Sequence, residues 1–146
     1  MKFDDLTKWQ GWGVAVLRAV VGFVFLMHGG QKLFIYGFKG VAGFMSQLGI
    51  PAPGLAAVVV TLVEFLGGAA LLVGLFTSWA AALLSINMLV AVLAVHLRAG
   101  FFLPKGFEYA LTLLAANVAL VLTGSGEAAL DSLRRRRRSL SLAQQH

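Results

Sequence analysis

Ionisable side chains are scarce in this sequence, and those inside its apolar runs recur at spacings that could assemble chemistry. Arg18 and Glu64 lie in the first and second of four long apolar runs, and Asn87 and Asn117 in the third and fourth. His28, Gln31 and Lys32 close the first run, His96 and Arg98 close the third, and Glu108 opens the fourth. His28 and Lys32 are four residues apart and share a helix face. Lys32 sits about 40° from Arg18 on a helical wheel, which directs that face into a bundle. A carboxylate at Glu108 also suits the start of a helix. Two histidines, two or three cations and a carboxylate therefore reach one mouth of the molecule.

Such a mouth could bind a redox ring. A quinone head group asks for a donor to each carbonyl and an apolar slot. His28, Lys32, His96 or Arg98 could donate, with Phe101, Phe102 and Phe107 as slot walls. Haem b held by His28 and His96 is the weaker alternative, with Gly29 and Gly30 letting a flat cofactor approach the backbone. The chain has no cysteine, which removes disulfides, thiolate metal sites, iron–sulfur clusters and cysteine nucleophiles. Two histidines do not make a tetrahedral zinc site, and no metal site is expected. His28-Gly29-Gly30-Gln31-Lys32 lacks the Walker spacing. No Ser/His/Asp arrangement is legible. The bland alternative is that these residues solvate helix ends and snorkel to the interface.

The elements that position them are set by composition. The 146 residues are 59% hydrophobic and 12% charged, with a mean hydropathy of +0.85. A soluble domain carries roughly 25% charged residues. A bilayer crossing needs about 20 mostly apolar residues. Four runs qualify, near 12–34, 55–76, 79–97 and 107–123. Leu and Ala dominate them, and the polar–apolar alternation of membrane strands is missing. The expected fold is an all-α, four-helix membrane bundle. Residues 1–11 form a leading segment, 12–123 the membrane domain and 124–146 a basic, mobile tail.

Four crossings put both termini on one side. Arg134-Arg135-Arg136-Arg137-Arg138 marks that side as cytoplasmic by the positive-inside rule. Asp4 and Asp5 argue against a signal peptide. The net charge of +6 is read as topology and anionic-lipid contact through Arg134–Arg138, with no nucleic-acid partner. The 35–54 connection carries Phe38, Val41, Phe44, Met45 and Leu48 at helical spacing and ends at Pro51 and Pro53. It is either a short interfacial helix or a loop packed over the bundle mouth.

Depth suggests pairings. At about 1.5 Å per residue, Arg18 lies about 9 Å from one boundary and Glu64 about 14 Å from the other. In a core of roughly 30 Å their depths differ by about 7 Å. An Arg18–Glu64 ion pair is expected, holding two helices together. Asn87 and Asn117 fall near midplane as interhelical hydrogen-bonding groups. Small-residue stripes at Gly11, Ala15 and Ala19 and at Ala70 and Gly74 would permit close helix approach. The wheel imposes a limit. Asn87 and His96, and likewise Glu108 and Asn117, are about 180° apart. One of each pair must face elsewhere unless a helix end unwinds.

These polar positions carry a resemblance. Leu17-Arg18 with Gly22, His28-Gly29-Gly30-Gln31-Lys32-Leu33-Phe34, Leu48-Gly49-Ile50-Pro51 and Val63-Glu64-Phe65-Leu66-Gly67-Gly68 occur in order. Ile86-Asn87-Met88, His96, Gly100-Phe101-Phe102 and Gly106-Phe107-Glu108-Tyr109 continue the series. Together they resemble the DoxX family of small four-helix membrane proteins, over about Val16 to Gly124. The resemblance implies a redox-associated protein of the bacterial inner membrane. Founding members are described as subunits of an archaeal thiosulfate:quinone oxidoreductase or quinol oxidase. Mycobacterial relatives are linked to a membrane-associated oxidative-stress complex. A quinone-interacting subunit with oxidoreductase partners is the implied role. A small homo-oligomeric transporter and a membrane scaffold for soluble partners are the alternatives.

Overall fold

A computed structural model of the chain describes residues 3–133, with side chains from residue 9 onward. Five α-helices occur in chain order: α1 Phe3–Gly30, α2 Gly37–Gln47, α3 Pro53–Val73, α4 Thr77–Val90 and α5 Glu108–Thr123. The expected all-helical membrane bundle is the observed one. α1, α3 and α4 with its extension are long and apolar enough to cross a bilayer. α5 has 16 residues, about 24 Å of rise, and is short of a full crossing.

Two helices do not end where α geometry would end them. α1 runs into a π turn, Gln31–Tyr36, and α4 into another, Ala91–His96. Each π turn uses i→i+5 bonds and a wider loop of backbone. Gly37, at φ +63°, breaks the first extension and starts α2. That conformation suits glycine, which has no Cβ to clash.

α2 settles the 35–54 connection. It is a helix, and it packs on α3 through buried Val41, Met45 and Ala57. It also forms one side of the bundle mouth. The main core is formed by Val21, Phe25, Leu71, Leu84, Met88 and Leu120, among others, from α1, α3, α4 and α5. Most remaining large apolar side chains face outward, including Val16, Phe23, Leu66, Leu83 and Leu122. An outward apolar belt is stable only against lipid.

Glycines decide how closely α1 and α3 approach. A Cβ at Gly22 would lie 2.8 Å from the Leu72 nitrogen and 2.9 Å from the Gly68 oxygen. A Cβ at Gly68 would collide with the Leu26 backbone, and one at Gly29 with the Phe65 backbone. The close approach thus uses Gly22, Gly29 and Gly68 rather than the stripes expected from sequence. Gly11 and Gly74 serve another partner. The Gly11 carbonyl accepts from the Glu127 N–H at 3.1 Å, and Gly74 abuts Ala129.

That partner is the segment after α5, expected as a mobile tail. Residues 124–133 instead dock against α1 and the α3–α4 turn. The Asp131 carboxylate accepts from the Phe76 and Thr77 N–H groups at 2.9 Å each, capping α4. The Asp131 N–H donates to the Gly74 oxygen at 2.9 Å. The two ends of the described chain consequently lie at the same end of the bundle. Arg134–Arg138 fall outside the described residues.

Candidate functional site

The far end of the bundle holds a cavity of about 270 Å³. Phe25, Val41, Met45, Met88 and Leu113 give it apolar walls, and α2 forms one side. His28, Lys32, Glu64, Asn87, His96 and Tyr109 bring polar atoms to it. These come from α1 with its π turn, α3, α4 with its π turn, and α5.

Glu64 is the centre of the polar wall, at 4% exposure. One carboxylate oxygen, Oε2, takes the Lys32 ammonium in an ion pair. The other, Oε1, accepts from Asn87 Nδ2 at 2.9 Å. A buried carboxylate needs such partners to remain in a low-dielectric interior. Lys32 is 24% exposed, so the pair spans the cavity edge rather than hiding in the core.

The expected Arg18–Glu64 pair is not formed. Arg18 is buried at the opposite end of α3, where the last turn leaves carbonyls without helical partners. Its Nη1 donates to Leu71 O at 2.6 Å and to Leu72 O at 3.1 Å. Its Nη2 donates to Ala128 O at 3.0 Å and Glu127 O at 3.4 Å. A cation there also complements the helix dipole. Four carbonyls replace one carboxylate, and Lys32 takes Glu64.

His96 reaches the cavity because of the second π turn. A π turn holds one extra residue, setting the residues beyond it back by about 100°. The expected half-turn between Asn87 and His96 shrinks to about 80° on that geometry, and both line the cavity. His96 Nδ1 lies 2.8 Å from the Lys105 carbonyl oxygen. A carbonyl can only accept, so Nδ1 carries a proton, which leaves Nε2 as the acceptor in the uncharged tautomer of the ring. The 100–108 loop supplies that carbonyl. Phe107 N–H to Gly100 O and Glu108 N–H to Phe101 O, both 3.0 Å, fold it.

No such turn interrupts α5, and Glu108 and Asn117 diverge. Glu108 Oε1 accepts from the Leu103 N–H at 2.7 Å, outside the cavity lining. Asn117 is fully buried and donates to Leu113 O of its own helix at 2.8 Å. The expected interhelical bond is made by Asn87 alone of the two. Arg98 is exposed and stands away from the cavity.

Two further expectations change. Phe101 packs edge-on against Phe102 and Phe107, with centroids 5.2 and 5.3 Å apart. That cluster stabilises the loop and does not wall the cavity. Gly29 is filled from the α3 side, so no flat cofactor reaches the backbone there. Residue type and spacing do not single out Tyr109. It lines the cavity with its ring centroid 6.2 Å from that of His28. Its position one residue beyond Glu108 is the signal that could have found it. No group of three or more His, Cys, Asp or Glu side chains fit to hold a metal occurs among the described residues.

The fold and this polar wall define a multi-pass membrane protein built around a small chamber. Comparison gives the family: the DoxX family model matches residues 13–97, and the chain belongs to that family. The chain is 33% identical over 119 residues to a Bacillus subtilis protein named "Putative oxidoreductase CatD", covering 82% of this chain and 84% of that one. It is 32% identical over 133 residues to an uncharacterized protein of Haemophilus influenzae, covering 88% and 96%. It is 35% identical over 129 residues to an uncharacterized membrane protein of Mycobacterium tuberculosis, covering 81% and 78%. No solved structure matches the chain.

Proposed function

We propose that this protein is a quinone-interacting membrane subunit whose chamber binds the quinone ring. The observation that carries the reading is the chamber itself. It is apolar, lies within the membrane-spanning helices, and has the Lys32–Glu64–Asn87 chain on one wall and His96 on another. Ligands of drug size occupy roughly 300–1,000 Å³, so about 270 Å³ suits a single substituted ring better than a haem macrocycle. Lys32 and Glu64 neutralise each other, which favours an uncharged ligand.

A bound quinone would supply reversible two-electron, two-proton chemistry. This chain's residues bind and orient it. The Lys32 ammonium keeps N–H donors beyond the one given to Glu64 and can donate to one ring oxygen. His96 Nε2 can accept from the hydroxyl of the reduced ring. His28 and Tyr109 would contact the ring, and Val41 and Met45 of α2 would give it an apolar wall. Electrons would come from an oxidoreductase partner, and the name of the Bacillus subtilis relative supports a redox setting. The same reading includes a bacterial inner-membrane location with both termini cytoplasmic. Arg134–Arg138 would then meet anionic lipids.

The test is binding. A tailless benzohydroquinone, kept reduced, is titrated against the full chain in phosphatidylcholine nanodiscs. Saturable binding is expected for wild type, with affinity about tenfold lower in His96→Ala, the scale of one lost hydrogen bond to a buried group. Absence of saturable binding refutes the chamber as a quinone site. Glu64, a carboxylate deep in a spanning helix, also favours a second reading as a small oligomeric transporter. Proton flux in proteoliposomes that stops in Glu64→Gln would support that instead.

A further inference from the structure

The chamber is not closed on all sides. Between the first π turn and α2 a groove of about 610 Å³ opens on the outer surface of the bundle, lined by Gln31, Lys32, Ile35, Tyr36, Gly40 and Phe44 among others. Lys32, Val41 and Phe44 line both this groove and the chamber. A second groove runs on the other side of the π turn, along Leu26, Met27 and Phe34, but it shares only His28 with the chamber. The first groove is therefore the continuous one, with Lys32 at its threshold.

Its rim is apolar and exposed. Ile35 is 72% exposed, and Tyr36 and Phe44 are also exposed. The π turn creates the opening, because a widened turn displaces the side chains beyond it from the α-helical stripe. Gly40 forms part of its floor. A Cβ at Gly40 would meet only Tyr36 Cβ, at 3.4 Å. The glycine thus leaves open space rather than permitting a close helix contact.

We infer that this groove seats the isoprenoid tail of a quinone whose ring lies in the chamber, the ligand entering sideways from the bilayer past Lys32. The inference rests on the quinone reading above and specifies the form of ligand that site takes. A ring seated against Glu64 and His96 has an apolar exit through this groove, and its exposed apolar rim suits the isoprenoid tail of a ligand that resides in the bilayer. Tail contacts replace lipid contacts there, so the groove acts by fit more than by hydrophobic gain. Blocking it should exclude tailed ligands and spare tailless ones.

The experiment compares two ligands with the same ring, one without a tail and one with two isoprene units, in phosphatidylcholine nanodiscs. Bound quinone is extracted and quantified by absorbance. Gly40→Phe fills the groove floor. Ile35→Trp, at a lipid-exposed position, narrows its rim and serves if Gly40→Phe does not fold. The expected result is at least about tenfold weaker binding of the tailed quinone than in wild type, the scale of a steric overpacking penalty. Binding of the tailless ring should stay within about twofold. Comparing variants in identical nanodiscs cancels partition of the tail into lipid. If both ligands bind and folded blocking variants change neither, the tail groove is wrong while the ring site stands. If wild type binds neither ligand, the quinone reading fails and this inference falls with it.

Discussion

Glu64 engages two neighbours with its two oxygens, and the consequence is a coupled pair whose members are worth more together than apart. Removing Lys32 strands a buried carboxylate; removing Glu64 strands an ammonium at the cavity edge. Breaking one side of such a pair is costly, whereas replacing both partners by apolar groups often is not. Lys32→Met and Glu64→Leu should each lower unfolding stability in detergent by about 2–3 kcal/mol. The double variant should lose less than the sum of the singles. Additive losses in that thermodynamic cycle would dissolve the pair. The residue types at this site were legible from sequence because ionisable groups in apolar helices are rare and tend to face inward. Their pairing was not. Depth placed Arg18 and Glu64 about 7 Å apart along the bilayer normal, but depth is blind to the carbonyls that a helix end presents. Arg18 found those at Leu71 and Leu72.

The elements are set by two devices, glycine contacts and π turns. The Gly22, Gly29 and Gly68 contacts leave no room for a methyl group, and α1 and α3 would have to separate to admit one. Gly68→Ala should cost about 1–3 kcal/mol by overpacking. Gly13→Ala, with nothing near its added Cβ, should leave the melting temperature unchanged or slightly raised by helix propensity. Equal effects at the two positions would contradict the contact geometry. Arg18 acts at this scale too, tying α1 to the end of α3 and to residues 127–128. Arg18→Ala should free the 124–133 segment, read as rapid proteolysis there while the bundle stays protected. A fall of about 3 kcal/mol or more in stability should accompany it, since hydrogen bonds to a charged group are worth about 1.5–3 kcal/mol each. Sequence periodicity located all four apolar runs but left the 35–54 connection open between a helix and a packed loop. It could not show the π turns, because a wide turn changes backbone bonding without changing composition. It also read 124–133 as a tail, since Gly124-Ser125-Gly126 signals mobility and nothing local reports that Asp131 caps a distant helix.

The whole molecule places the ends of its described chain at one end of the bundle and its chamber toward the other. With no cysteine in the sequence, single engineered thiols report topology without background. Ser46→Cys, in α2 near the chamber, should react with a membrane-impermeant maleimide on intact cells. Gln144→Cys should react only after permeabilisation, if the arginine run is retained inside. The reverse pattern would invert the proposed orientation. The mutual neutralisation of Lys32 and Glu64 has an electrical meaning as well. Moving one elementary charge through the membrane potential changes its energy by about 2.3 kcal/mol per 100 mV. An uncharged ring entering beside a cancelled pair moves no charge through that field. On the proposed quinone reading, occupancy of the chamber should be the same in energised and de-energised vesicles, and the site would be blind to voltage and would report only how much reduced or oxidised ligand the membrane holds.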